Sequence, residues 1–151
     1  MDGTREQGVG GTPAGPCVLI VDDEAPVCDA FAEALELAGY TVRIATNGRE
    51  GIEAGRLPDV GLIVVDMFMP GVDGYQVIAA LRRERPTLPI IATSGGGGFV
   101  PGSRDLLDVA HFVGATRMLQ KPVDLRTLVN VVRAMLPVAG SAPDRPDSRA
   151  P

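Results

Sequence analysis

LIVVDMFMPGVDG, residues 62–74, runs four apolar residues into a single aspartate, Asp66, and then turns at Met69-Pro70-Gly71. A continuous apolar run bounded by a turn is the pattern of a strand covered on both faces. A carboxylate at the end of such a strand costs free energy unless something pairs with it. The partners of Asp66 must come from elsewhere in the chain, and finding them decides both the fold and the chemistry.

The neighbouring segments repeat the pattern. CVLIVDD (17–23) is an apolar run stopped by acids, VGLIVVD (60–66) contains the run above, and PIIATS (89–94) is a further buried strand. TVRIA (41–45) and TRMLQ (116–120) read as shorter strands. Helical spacing appears between them. From Ala25 to Ala38 the apolar residues Val27, Phe31, Leu35 and Ala38 recur on one face, with Pro26 suited to the first turn and Gly39 to the position past the end. Gly48–Arg56, Tyr75–Glu84 and Arg104–Phe112 read as helices. Asp124 suits the N-cap of a last helix with Leu125, Leu128, Val129, Val132 and Leu136 on one face. Strands alternating with helices imply an α/β fold, a doubly wound parallel sheet of five strands with helices on both faces.

Residues 1–15 and 138–151 are rich in Gly, Pro, Ala, Ser and charge, a composition suited to disordered tails around one domain over 16–137. The 151 residues carry 14 basic and 19 acidic side chains, a net charge of −5, the wrong sign for binding nucleic acid by phosphate neutralisation. The N-terminus has no apolar core of a secretory signal and the chain has no membrane-length apolar run, so no membrane role is expected. Cys17 and Cys28 lack metal-type spacing and read as small packing residues in a reduced, cytoplasmic setting.

The polar residues fall in one place. Asp22 and Asp23 end the first strand, Asp66 the third, Ser94 the fourth and Lys121 the fifth. Ligands of open doubly wound sheets bind at the carboxyl ends of the strands, where strand order reverses. With the order 2-1-3-4-5, three carboxylates converge there, beside a hydroxyl and an ammonium. Clustered carboxylates oppose one another's ionisation. A hard divalent cation, with Mg²⁺ the best fit to few protein ligands, removes the conflict. Such a site suits a phosphoryl group, with Asp66 the nucleophile. Singly, each feature has an ordinary reading: Asp-Asp as a solvated turn, Lys-Pro as punctuation, Ser94 as the start of a glycine turn.

Together the motifs VLIVDDE (18–24), VVDMFMPGVDG (64–74), PIIATSG (89–95) and GATRMLQKPVD (114–124) resemble a response regulator receiver domain, over Pro16 to Leu136. The resemblance implies a flavodoxin-like fold, Asp66 as phosphoacceptor, Asp22 and Asp23 as the acidic pair for Mg²⁺, and a metal-binding backbone carbonyl at Phe68. It implies Ser94 and Lys121 as phosphoryl-binding residues and a cis peptide before Pro122. The implied partners are a histidine kinase or histidine phosphotransfer protein, and an output protein docking on the fourth helix, fifth strand and fifth helix. The expected role is that of a stand-alone receiver in a two-component phosphorelay, not a turnover enzyme.

Two departures stand out. The switch position of the fifth strand, an aromatic in the family, is Met118, and the loop Gly95–Ser103 is unusually long and glycine-rich. That loop lacks the Gly-Lys-Ser/Thr of a nucleotide loop and reads either as an insertion or as a lid. His111, the one histidine, reads as a surface or packing residue, and Met67 and Met69 as loop packing. Met118 favours an alternative, a receiver fold that docks partners without switching. An aspartate-nucleophile phosphatase ranks below both, because the second acid it needs is replaced by Phe68.

Overall fold

The structure is a computed structural model that describes residues 15–95 and 114–138. Its strands are β1 (Cys17–Val21), β2 (Thr41–Ala45), β3 (Val60–Asp66), β4 (Ile90–Ser94) and β5 (Arg117–Gln120). Its helices are α1 (Ala25–Leu37), α2 (Gly48–Gly55), α3 (Gly74–Glu84) and α4 (Leu125–Met135). All strand pairs are parallel, and the sheet order is β2-β1-β3-β4-β5, as expected.

Alternation along the central strands divides the core in two. Leu19, Val21, Ile63, Val65, Ile90 and Ala92 face α2 and α3, meeting Val77, Ile78 and Leu81. Val18, Ile20, Leu62, Val64 and Ile91 face α1 and α4, meeting Phe31, Leu35, Leu128 and Val132. Both faces are therefore apolar, which is why these strands read as unbroken apolar runs.

Local signals set the helix ends. Pro26 lies in the first turn of α1, and Gly39 follows its end at φ 103°. Asp73 and Gln76 form a reciprocal capping box at the start of α3, and the Asp124 carboxylate accepts from the Thr127 N–H at the start of α4. Several expectations shift. β1 stops at Val21 rather than reaching Asp23: the Asp22 N–H still donates to the Ala45 carbonyl, but the chain then turns, with the Asp22 carboxylate accepting from the Glu24 N–H. Leu125 does not join the buried face of α4; it is 38% exposed and lines an open apolar hollow with Pro26, Phe31 and Pro122. The helix expected over 104–112, the loop beyond Gly95 and His111 lie outside the described residues, as do the tails apart from Gly15 and Val138. No helix among the described residues is long and apolar enough to cross a membrane.

One side chain on α3 ties together the segments that lead into β4 and β5. The Arg82 guanidinium donates from Nε and Nη2 to the Gly114 carbonyl, and from Nη1 to the carbonyls of Arg85, Pro86 and Leu88. It thereby ties α3 to the approach to β4 and to the approach to β5. Arg82→Ala should lower stability by about 2 kcal/mol or more, because charged hydrogen bonds are lost and part-buried carbonyls are left unpaired. Urea unfolding would show it as a lower midpoint at unchanged slope, with Arg82→Lys recovering only part, since an ammonium lacks the planar fork.

Candidate functional site

The parallel topology brings the ends of β1, β3, β4 and β5 to one edge of the sheet. Val21 pairs with Val65, Asp66 with Thr93, and Ser94 with Gln120, so the residues just beyond lie side by side. The ladder continues one step further: the Met67 N–H donates to the Thr93 carbonyl, and the Lys121 N–H to the Ser94 carbonyl.

Asp22, Asp23 and Asp66 converge, each offering a carboxylate oxygen within 4.8 Å of the others. Asp22 and Asp66 are buried and Asp23 is exposed. Lys121 reaches into this group, with Nζ 2.9 Å from Asp22 Oδ2, 3.5 Å from Asp66 Oδ2 and 3.8 Å from Glu24 Oε1. Its strongest bond is to Asp22 rather than to Asp66. The Asp66 carboxylate also accepts from the Phe68 N–H at 3.2 Å.

These surroundings act on the titrating groups in opposite directions. Burial pushes the Asp66 pKa up; the Phe68 N–H and Lys121 pull it back, Asp22 adds to the rise, and the net is upward. For Lys121 burial works against the charge, but the hydrogen bond it donates to Asp22 and the charges of Asp22, Asp66 and Glu24 outweigh it and raise its pKa. Cys28 lies just beneath, its Sγ donating to the Asp22 carbonyl at 3.2 Å. Burial, followed by the charge of Asp22, pushes its thiol up to about 11, so it is an uncharged packing group. Both cysteines are free and buried.

Four carboxylates face one ammonium here, and a divalent cation is the natural complement to that excess of negative oxygen. The donors are oxygens only and two are buried, so the residues fit a hard cation.

Of the residues singled out in the sequence, Asp22, Asp23, Asp66 and Lys121 are brought together. Phe68 meets Asp66 through its N–H. Ser94 lies buried at the same edge, with its hydroxyl donating to the Gly95 carbonyl at 3.2 Å. Met118 pairs with Ala92 one strand away and packs, half-buried, on the α2–α3 side. The peptide between Lys121 and Pro122 is cis. Glu24 went unread in the sequence, although it extends the Asp-Asp pair, because a residue before a helix is ordinarily read as a cap. Its side chain makes no capping bond.

Backbone geometry shapes the loop after Asp66. Gly71 has φ 77°, a left-handed conformation that side chains disfavour. Gly74 packs so closely that a Cβ would lie 2.5 Å from the Asp66 carbonyl oxygen. Its N–H donates to the Met67 carbonyl at 3.1 Å and closes the loop.

The family model of the response regulator receiver domain matches residues 18–133. The chain is 32% identical over 125 residues to the transcriptional regulatory protein TcrA of Mycobacterium tuberculosis, covering 83% of this chain and 47% of that protein. It is 36% identical over 141 residues to the phosphate regulon transcriptional regulatory protein PhoB of Pseudomonas aeruginosa, covering 91% and 57%. The chain thus spans about half the length of these curated relatives. Among solved structures, the chemotaxis protein CheY4 of Vibrio cholerae matches with a TM-score of 0.69 and 28% identity, over 80% of this chain and 98% of that one.

The burial of Asp66 has a measurable consequence. With its folded pKa raised, the residue binds its proton more tightly folded than unfolded. Its contribution therefore favours folding below the raised pKa and is lost as the pH rises through it. Asp66→Asn should remove that dependence and raise the melting temperature near neutral pH in chelator-treated protein. A lower melting temperature would show that the Lys121 contact outweighs the desolvation.

Proposed function

The chain belongs to the response regulator receiver domain family, and from that premise we propose that it takes a phosphoryl group from phosphohistidine onto Asp66 and signals by altered docking. The observation that carries the reading is the buried Asp66 carboxylate at the sheet's carboxyl edge, facing two further carboxylates and the Lys121 ammonium.

In this reading an Asp66 oxygen bonds to phosphorus, the bond from phosphorus to the histidine nitrogen breaks, and the imidazole leaves with the electron pair. Asp22, Asp23, Asp66 and the Phe68 carbonyl hold Mg²⁺, which when bound supplies positive charge to the phosphoryl oxygens. Lys121 supplies charge from the other side, and its bond to Asp22 keeps the ammonium beside the acceptor beforehand. Ser94 turns its hydroxyl from Gly95 toward the phosphoryl group. Binding of the new dianion by Ser94 and Lys121 shifts the balance between two packings of the face formed by β5 and α4. That face docks the output protein. The chain acts as an acceptor that assists its own phosphorylation and dephosphorylation, not as a turnover enzyme, and works in the cytoplasm as one receiver domain over 16–137 with polar tails.

A second reading, a receiver fold that docks without switching, is favoured by Met118. A thioether at the switch position fills space adaptably but has no ring to swing between two sites.

Intact-mass spectrometry after incubation with acetyl phosphate separates the two. The expected result is a gain of one phosphoryl group that requires Mg²⁺ and is abolished in Asp66→Asn. No gain in folded wild type would move the conclusion to the non-switching module.

A further inference from the structure

Phe68 and Tyr75 meet edge to face, with ring centroids 6.3 Å apart and planes at 72°. Both rings stay at the surface, 42% and 40% exposed, so the pair is not core packing. Both residues are nonetheless tied to Asp66 through the backbone. The Phe68 N–H donates to Asp66 Oδ1, and Tyr75 follows Gly74, which lies against the Asp66 carbonyl and donates to Met67. Tyr75 is also fixed within the first turn of α3 by the capping box of Asp73 and Gln76. The loop 67–73 thus leaves Asp66 and returns to it, with a ring at each end, and the rings close on one another.

We infer that Tyr75 is a positioning residue that holds the Phe68 ring beside Asp66 and so sets the lifetime of the acyl phosphate, an inference that rests on the function proposed above. Loss of the phosphoryl group is hydrolysis. A water oxygen bonds to phosphorus, the bond from phosphorus to the Asp66 oxygen breaks with its electron pair returning to the carboxylate, and the water proton passes to the departing phosphate or to solvent. A ring at the solvent side of the acceptor displaces the water that would attack in line. A free Phe68 side chain at the surface would sample several rotamers, and an edge-to-face partner narrows that choice.

The test loads the full chain with acetyl phosphate and Mg²⁺, removes the donor, and follows decay by intact mass, with thermal melts to establish that each variant is folded. Tyr75→Leu should shorten the half-life about twofold to tenfold, the range set by one aromatic pair. Tyr75→Phe should keep the wild-type half-life, because the ring edge and not the hydroxyl does the work. Phe68→Asn should shorten it at least as much as Tyr75→Leu, and adding Tyr75→Leu to Phe68→Asn should change nothing further, as expected of residues acting through one contact. Wild-type decay in folded Tyr75→Leu, or an undiminished effect of Tyr75→Leu in the Phe68→Asn background, overturns the inference. A wild type that never loads overturns the proposed function and this inference with it, so the two failures are told apart.

Discussion

The Lys121 ammonium holds together a site that would otherwise repel itself. Lys121 follows β5 and Asp22 follows β1, with β3 and β4 between them in the sheet. Three strand spacings amount to roughly 14 Å. The Lys121 side chain must therefore reach back across the sheet edge for Nζ to lie 2.9 Å from Asp22. That reach places the ammonium 3.5 Å from Asp66, on the strand between. Removing it would leave two buried carboxylates without their cation, which costs several kcal/mol in comparable buried pairs.

The rest of the architecture serves that edge. Apolar faces on both sides of β1, β3 and β4 hold the strand ends in register, and the register sets which polar residues are neighbours. The loop after Asp66 departs through Gly71 and closes at Gly74, where only a hydrogen fits against the Asp66 carbonyl. The same compactness presses α3 against the acceptor strand and brings the Phe68 and Tyr75 rings together.

The sheet is legible in the sequence because its three central strands are covered on both faces, and an apolar run such as VGLIVVD has no polar alternation to blur it. The meeting of Asp22, Asp23, Asp66 and Lys121 is legible for a related reason: each stands at a strand end, and parallel topology sends those ends to one edge. What Lys121 prefers is not legible. VDDE offers three consecutive acids, and only the turn after Val21 decides that Asp22 is buried against the ammonium, that Asp23 joins the cluster from its exposed side, and that Glu24 comes within reach of the ammonium. The Ser94 hydroxyl is a similar case, since its bond to Gly95 depends on a rotamer that spacing does not encode. Tyr75 reads as an ordinary helix residue until Phe68, seven positions earlier, is seen to fold back onto it.

The Arg82 staple bears on how this fold can change its length. Between Gly95, carried out of β4, and Gly114, gripped by the guanidinium, the chain runs from one anchored point to another. The entropy of closing a chain between fixed ends grows only with the logarithm of its length, about 0.6 kcal/mol for each doubling. Extra residues inserted there would neither alter the register of β5 against β4 nor move Lys121 from its carboxylates. The link between Gly95 and Gly114 is thus a place where a descendant of this sequence can gain or lose residues while Lys121 and its carboxylates stay as they are.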